Sequence, residues 1–211
     1  WVSQASIDMA DDLELMELMV RSGCLGHVVG FESLDPANLR SVGKAPNLAG
    51  AGRDYGPQIE VFRKFGLQLW AAFTLGYDED TVESVERTLE FAIENKFCFA
   101  AFNVLMPYPR TAFYSKLEAH GRLLYDGRWW LHPEYRFNHA AFRPKRMDPE
   151  ELTEACFRAR SQFNRLGSIV RRAFDLRTNM RSPYRFGMYL RYNPLFRREV
   201  FKKQGMRLGL H

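Results

Sequence analysis

A carboxylate and a hydroxyl stand side by side at Glu32 and Ser33, directly after the apolar run in HVVGFES. A carboxylate accepts two hydrogen bonds side by side, so it can grip the vicinal hydroxyls of a ribose or the ammonium of an amino acid. Other polar groups sit at comparable places. Gly76, Tyr77 and the acids Asp78, Glu79 and Asp80 follow the apolar run LQLWAAFTL. Asn103, Met106, Pro107 and Tyr108 close the run CFAAFNVLMP, and Gln4 and Ser6 close the first short stretch. Each has a plainer use. Glu32 with Ser33 can cap the next turn, and the acidic trio suits the positive end of a helix. Gly76 suits a tight turn, and Pro107 with Pro109 ends a strand. A ligand is favoured because all of these groups gather at the ends of apolar runs.

The elements that must carry them follow from periodicity. Residues 1–8 alternate as a strand, with Val2, Gln4 and Ser6 set against Ser3, Ala5 and Ile7. Asp11 is the expected cap of a helix carrying Leu13, Leu15, Met16, Leu18, Met19 and Val20, ended by Gly23. His27–Phe31 forms the next strand. A polar, Gly-rich connection then runs from Leu34 to Asp54, with a short helix over Pro36–Val42. Pro57 suits the first turn of a helix closed by Gly66. A strand over LQLWAAFTLG, a helix capped by Asp80 or Thr81, a strand over CFAAFNVLMP and a helix from Thr111 to His120 complete the series. This βαβαβαβα order, with strands reading as apolar on both faces, predicts a parallel sheet covered by helices. Ligands of such folds sit at the carboxyl ends of the strands.

With 211 residues, 46% hydrophobic and 26% charged, the chain can bury one full core. No run of 18 apolar residues is present. The opening Trp1 reads as a cut end. Cys24, Cys98 and Cys156 are odd in number and widely spaced. They read as buried thiols of a reducing, cytoplasmic compartment and suggest neither a disulfide framework nor a zinc site. Charge is uneven. Residues 143–211 hold 17 basic and 6 acidic side chains, a net of +11, against −6 for the rest.

The stretches WVSQASIDMADD, VVGFESLDPANL with KAPN at 44–47, AAFTLGYDED and FNVLMPYPRT together resemble the second half of a radical S-adenosylmethionine (SAM) domain. They are most similar to members that carry an upstream cobalamin-binding domain, and AFRPKRMDPEELTEACFRARSQF resembles the region after the barrel in that group. The resemblance covers most of residues 1–165. It implies an α/β fold, the later strands of a partial (β/α)6 barrel over residues 1–125, with a basic helical extension over 126–211. It implies a SAM site in which Gly30, Glu32 and Ser33 lie by the ribose and methionine. The backbone of Leu75, Gly76 and Asp78 neighbours the adenine, Asn103 and Pro107 flank it, and Gln4 and Ser6 face the methionyl group or substrate. Arg110 departs from the family, where Gly is usual, and disturbs a tight turn. A larger departure is the absence of CxxxCxxC, so the ligands of the [4Fe–4S] cluster, like any cobalamin domain, are expected outside this chain. Such a fragment holds one wall of the SAM site and is inactive alone. In the intact oxidoreductase or transferase, SAM cleavage yields a 5′-deoxyadenosyl radical that abstracts hydrogen. Where cobalamin takes part, the outcome is methyl transfer to carbon of a small or lipid-like substrate.

After Gly167, arginines and lysines interleave with Phe174, Tyr184, Phe186, Tyr189, Tyr192, Phe196 and Phe201. The leading expectation is amphipathic helices that pack their aromatics on the barrel and leave the arginines solvated. The alternatives are a membrane-surface contact and, less favoured, nucleic acid, either of which would make the chain a binding module on a barrel scaffold. Trp129, Trp130 and His132 read as core between barrel and tail, or as a lid over the barrel mouth.

Overall fold

The computed structural model describes residues 1–48 and 55–208. The part of the Gly-rich connection from 49 to 54 lies outside the described residues. Four strands form one parallel sheet in sequential order: β1 (Val2–Ala5), β2 (Gly26–Glu32), β3 (Gln68–Leu75) and β4 (Phe99–Val104). Helices α1 (Leu13–Arg21), α2 (Pro36–Ser41), α3 (Ala45–Leu48), α4 (Gly56–Phe65), α5 (Val82–Glu94) and α6 (Ala112–Ala119) lie between and after the strands. α7 (Pro149–Phe163), α8 (Leu166–Ala173) and α9 (Pro183–Lys203) complete the chain's helices among the described residues. One hydrophobic core runs from Ile7 through Phe31, Phe73 and Phe102 to Phe163.

Several boundaries differ from the sequence expectation. The first strand stops at Ala5, because Ile7–Asp11 turns into a 3-10 helix that buries Ile7 and Ala10. Asp12 caps α1, accepting from the Leu15 amide at 2.9 Å, and Asp11 ends the preceding turn. Thr81 caps α5 and Asp80 turns elsewhere. Gly66 takes the left-handed conformation (φ 72°) that ends α4, as expected.

Both faces of the sheet are largely apolar, as expected, but only one is covered along its length. Along β3, Leu69, Ala71, Phe73 and Leu75 are buried, while Gln68, Trp70, Ala72 and Thr74 between them are half-exposed. Helices cover the first set, which joins the main core. The open face carries aromatics at its amino end, small residues in the middle and polar residues at its carboxyl end. In register across the strands these are Val28, Trp70 and Phe99, then Gly30, Ala72 and Ala101, then Thr74 beside Asn103. α9 packs against the amino end. Phe196 meets Trp70 at 5.3 Å and Phe99 at 4.9 Å between ring centres, leaving a cavity of about 300 Å³ beside them.

The extension is helical as expected, and Arg171, Arg177, Arg191 and Arg198 are exposed, but three other arginines are spent on the barrel. Arg172 is fully buried and donates to the carbonyls of Phe97 (2.8 Å), Cys98 (3.1 Å) and Phe163 (2.9 Å). Arg185 donates to Leu25 O and Gly66 O, Arg181 to Phe65 O, and Asn179 to Lys96 O. Apart from Phe163, these acceptors lie where the chain leaves a helix and enters a strand. Helix ends and turns leave carbonyls without partners there, and cations suit that negative pole. The expected packing of aromatics does hold for Tyr189, buried with its hydroxyl on Ile169 O.

Candidate functional site

Glu32 is the centre of the rim. Register shifts between Gly30 and Glu32, and Glu32 takes φ 62°, rare for a residue with a Cβ. The bulge keeps Phe31 in the core and turns the carboxylate back over Gly30. A Cβ on residue 30 would lie 2.6 Å from Glu32 Oε1, so only glycine leaves room for this fold-back. The Thr74 hydroxyl donates to Glu32 Oε2 at 3.0 Å, and Lys44 Nζ donates to Oε1 at 3.1 Å. The loop behind is fastened by Asn47, whose Nδ2 donates to Gly30 O and Phe31 O, both at 3.0 Å. Tyr55 adds its hydroxyl on Ser33 O at 3.2 Å. Strain and fastening together hold one carboxylate at a fixed place, with about a quarter of its side chain exposed.

The remaining expected site residues separate into groups. Gly30, Glu32 and Asn103 share the open face at its carboxyl end, Asn103 standing opposite Thr74 in register and exposed. Gln4 lies lower on that face, opposite Val28, and Ser6 is exposed just past β1. Ser33 is buried, and its hydroxyl accepts from the Asp35 amide (3.0 Å) and Asn38 Nδ2 (3.3 Å), so it organises the loop. Leu75 points into the helix-covered core. Gly76 has φ 108°, and a Cβ there would come 2.7 Å from Leu152 Cδ2. Pro107 offers its carbonyl to Trp129 Nε1 at 2.9 Å.

The acidic trio does three different things. Asp80 is buried and accepts from the amides of Gly76 (2.8 Å) and Tyr77 (3.0 Å) and from Asn38 Nδ2 (2.8 Å). Burial pushes its carboxyl up to about 6 against those donors. Asp78 meets Lys116, Arg122 and Lys145, each at 3.0 Å. Burial would raise it, but the three cations hold it well below the usual carboxylate range. Glu79 pairs with Arg146.

Beyond the tip of β4, a groove of about 310 Å³ is lined by Asn103, Met106, Tyr108, Trp129, Tyr135 and Phe137, among others. Trp129 is buried against Tyr135 and Ala141, and Trp130 is more than a third exposed. Trp129 is thus both core and lining of this groove, while Trp130 stands outside its lining. Thr74, Asn38 and Tyr55 went unrecognised in the sequence. For Thr74 the signal was available: strict alternation along LQLWAAFT puts it on the same face as Trp70 and Ala72. Lys44 and Asn47 stood out only as the KAPN stretch.

The three cysteines are apart from the rim and buried. Cys24 lies 3.5 Å from His27 Nε2, and Cys98 donates to Leu69 O. Burial raises all three thiols, Cys98 and Cys156 to about 12. Among the described residues, no three of His, Cys, Asp or Glu come together to hold a metal ion. The cysteines therefore do not fit a [4Fe–4S] cluster.

No family model matches the chain. It is 28% identical over 172 residues to a bacteriochlorophyllide d C-12(1)-methyltransferase of Chlorobaculum tepidum, a match covering 82% of this chain and 36% of that protein. It is 25% identical over 144 residues to a bacteriochlorophyllide d C-8(2)-methyltransferase of the same organism, covering 68% and 31%. It is 28% identical over 126 residues to a hopanoid C-2 methylase of Rhodopseudomonas palustris, covering 58% and 23%. The matches span 36% or less of the length of these relatives.

Proposed function

We propose that this chain is the carboxyl-terminal part of a radical SAM methyltransferase, with the rim around Glu32 forming one wall of the SAM site. Residues 1–125 belong to the barrel and 126–211 to its extension. The observation that carries the reading is the Glu32 carboxylate, folded back over Gly30 at the carboxyl end of an open, small-residue face. Three supports stand beside it. The relatives are named as methyltransferases or methylases, with the modified position given as a numbered carbon. The strand order β1-β2-β3-β4 never reverses, and right-handed crossovers would then put every helix on one side, as in a barrel and unlike a doubly wound sheet. The motifs of the radical SAM resemblance fall on these strand ends.

SAM supplies both the methyl group and the deoxyadenosyl fragment in this chemistry. The chain's own part is to bind and orient it. Glu32 accepts from the ribose hydroxyls or the methionyl ammonium, Thr74 and Lys44 fix the carboxylate, and Gly30, Ala72 and Ala101 leave space on the sheet. Asn103 offers an amide at the edge. The flat aromatic groove beyond β4 takes the substrate ring system. The cluster thiolates, and cobalamin where it is used, come from outside these residues.

Calorimetric titration with SAM and with S-adenosylhomocysteine tests this. The chain binds both, and Glu32→Gln weakens binding by about tenfold or more, the loss expected for a charge-assisted hydrogen bond. Its melting temperature changes little. Equal affinity in Glu32→Gln, or no saturable binding in the native protein, defeats the proposal.

A further inference from the structure

Arg172, Arg181 and Arg185 are committed to carbonyls, and beside them one apolar ridge on α8 stands uncovered. On α8, Leu166 is 60% exposed and Val170 55%, and just beyond it Phe174 is 65% and Leu176 78% exposed. Leu166 and Val170 lie four residues apart on one face of α8, and Phe174 and Leu176 continue the exposed apolar run past its end. The opposite side is spent: Ile169, Arg172 and Ala173 are buried in the contact with β4 and α9. Isolated exposed leucines are ordinary, but a run of four large apolar groups in eleven residues is a patch.

The helix itself is cationic, although α5, which packs against it, carries the exposed acids Glu86, Glu90 and Glu94. Arg171 lies on the next strip round the helix and Arg165 precedes the first turn. Both are exposed, and neither forms an ion pair among the described residues. From Arg165 to Phe174 the sequence has no acid. The next one, Asp175, is buried and bound to Arg63 at 3.1 Å and to the Thr178 hydroxyl at 2.7 Å. Lys96 Nζ holds the Phe174 carbonyl, fixing the end of the ridge. The whole segment 143–211 carries +11.

From this pairing of apolar run and unpaired cations we infer that the α8 ridge is a docking surface for an anionic lipid bilayer. The side chains of Leu166, Val170, Phe174 and Leu176 enter the boundary between headgroups and acyl chains, and Arg165 and Arg171 meet the phosphates. Among the described residues, no helix is long and apolar enough to cross a membrane, so the contact is peripheral. The inference is independent of the SAM reading, because the ridge lies on the extension and shares no residue with the rim.

Vesicle co-sedimentation decides it. The protein pellets with phosphatidylcholine vesicles rich in phosphatidylglycerol and much less with phosphatidylcholine alone, and added salt releases it. The double variant Val170→Ser, Phe174→Ser lowers the partition coefficient by about tenfold or more. Arg171→Gln lowers it by about fivefold, the expected share of one cation. Both variants melt as the native protein does, since the substituted side chains are exposed. Native protein left in the supernatant with anionic vesicles overturns the inference. So does equal pelleting of the double variant, or light scattering that shows a dimer which the double variant abolishes, since the ridge then covers a second copy.

Discussion

Arg172 offers the sharpest test of how the extension is held. Its guanidinium has no carboxylate partner among the described residues. Its acceptors are the carbonyls of Phe97, Cys98 and Phe163, with Asn193 Oδ1 at 3.3 Å and Ser168 Oγ at 3.2 Å, and it lies 3.7 Å over the Phe163 ring. Replace it by methionine, which fills much of the same volume without donors. Cys98 O keeps a donor in Asn193 Nδ2 at 3.4 Å, but Phe97 O and Phe163 O lose theirs. Two buried carbonyls without partners cost about 2–6 kcal/mol together. Against this, methionine removes the cost of burying a cation. Burial pushes the Arg172 pKa down to about 10 from 12.5, an opposing contribution of about 3 kcal/mol. The terms are close, and the loss of stacking on Phe163 adds about 1 kcal/mol to the first. The expected net loss for Arg172→Met is therefore about 2 kcal/mol, the middle of a range of about 0–4, and for Arg172→Ala about 2 kcal/mol more, from the cavity. Urea unfolding at constant m-value measures both. Limited proteolysis should show earlier cleavage between residues 165 and 182 in both variants. An Arg172→Met protein as stable as the native one, with unchanged proteolysis, would show that the guanidinium only fills space.

Two more outcomes are expected at the rim and its loops. Asp80 has its carboxyl raised to about 6 by burial, so the native state holds this proton more tightly than the unfolded chain does. Its contribution is therefore fully present below about pH 4 and lost as pH rises through 6, about 3 kcal/mol in all. Thermal melts of native and Asp80→Asn protein should diverge across that window, the native protein losing ground as pH rises; a constant difference from pH 4 to 7 refutes it. Arg110 is exposed at φ 65°. Relief of left-handed strain outweighs the extra freedom glycine gives the unfolded chain, so Arg110→Gly should stabilise by about 0.5–1 kcal/mol. A lower melting temperature would contradict this.

The parallel sheet and helices α1, α2, α4, α5 and α6 were legible because strand runs and amphipathic stretches alternate with clear Gly and Pro punctuation; α3 and the bounds of α7, α8 and α9 were not. Asp12 displaced Asp11 as a cap, while of the two caps open for α5 Thr81 serves, a choice that depends on which side chain the tertiary fold claims. Asp80 was claimed by the Gly76–Tyr77 turn. The strands are apolar on both faces as read, but a linear window could not show that the face of Gly30, Ala72 and Ala101 stays largely uncovered by helices. Glu32 was legible as a polar strand end. Its fold-back over Gly30 was not, since that depends on a bulge whose register is set by β3. Arg171, Arg177, Arg191 and Arg198 are exposed as expected, but Arg172, Arg181 and Arg185 were not legible, because composition gives charge and says nothing of acceptors; the helix-to-strand turns that receive them lie 74 to 161 positions away. Arg110 shows the reverse case. The sequence predicts a disturbed tight turn here, yet the turn forms, Thr111 N donating to Tyr108 O at 3.3 Å, with arginine in the backbone conformation usually left to glycine.

The guanidinium contacts of Arg172, Arg181 and Arg185 with the barrel gather at one pole of the sheet, where strands begin, and end on backbone carbonyls. At the other pole the extension reaches the loop after β3 through side-chain ion pairs, Lys145 on Asp78 and Arg146 on Glu79. Backbone carbonyls survive any side-chain substitution, whereas an ion pair disappears with one, so the first pole tolerates sequence drift in the barrel better than the second.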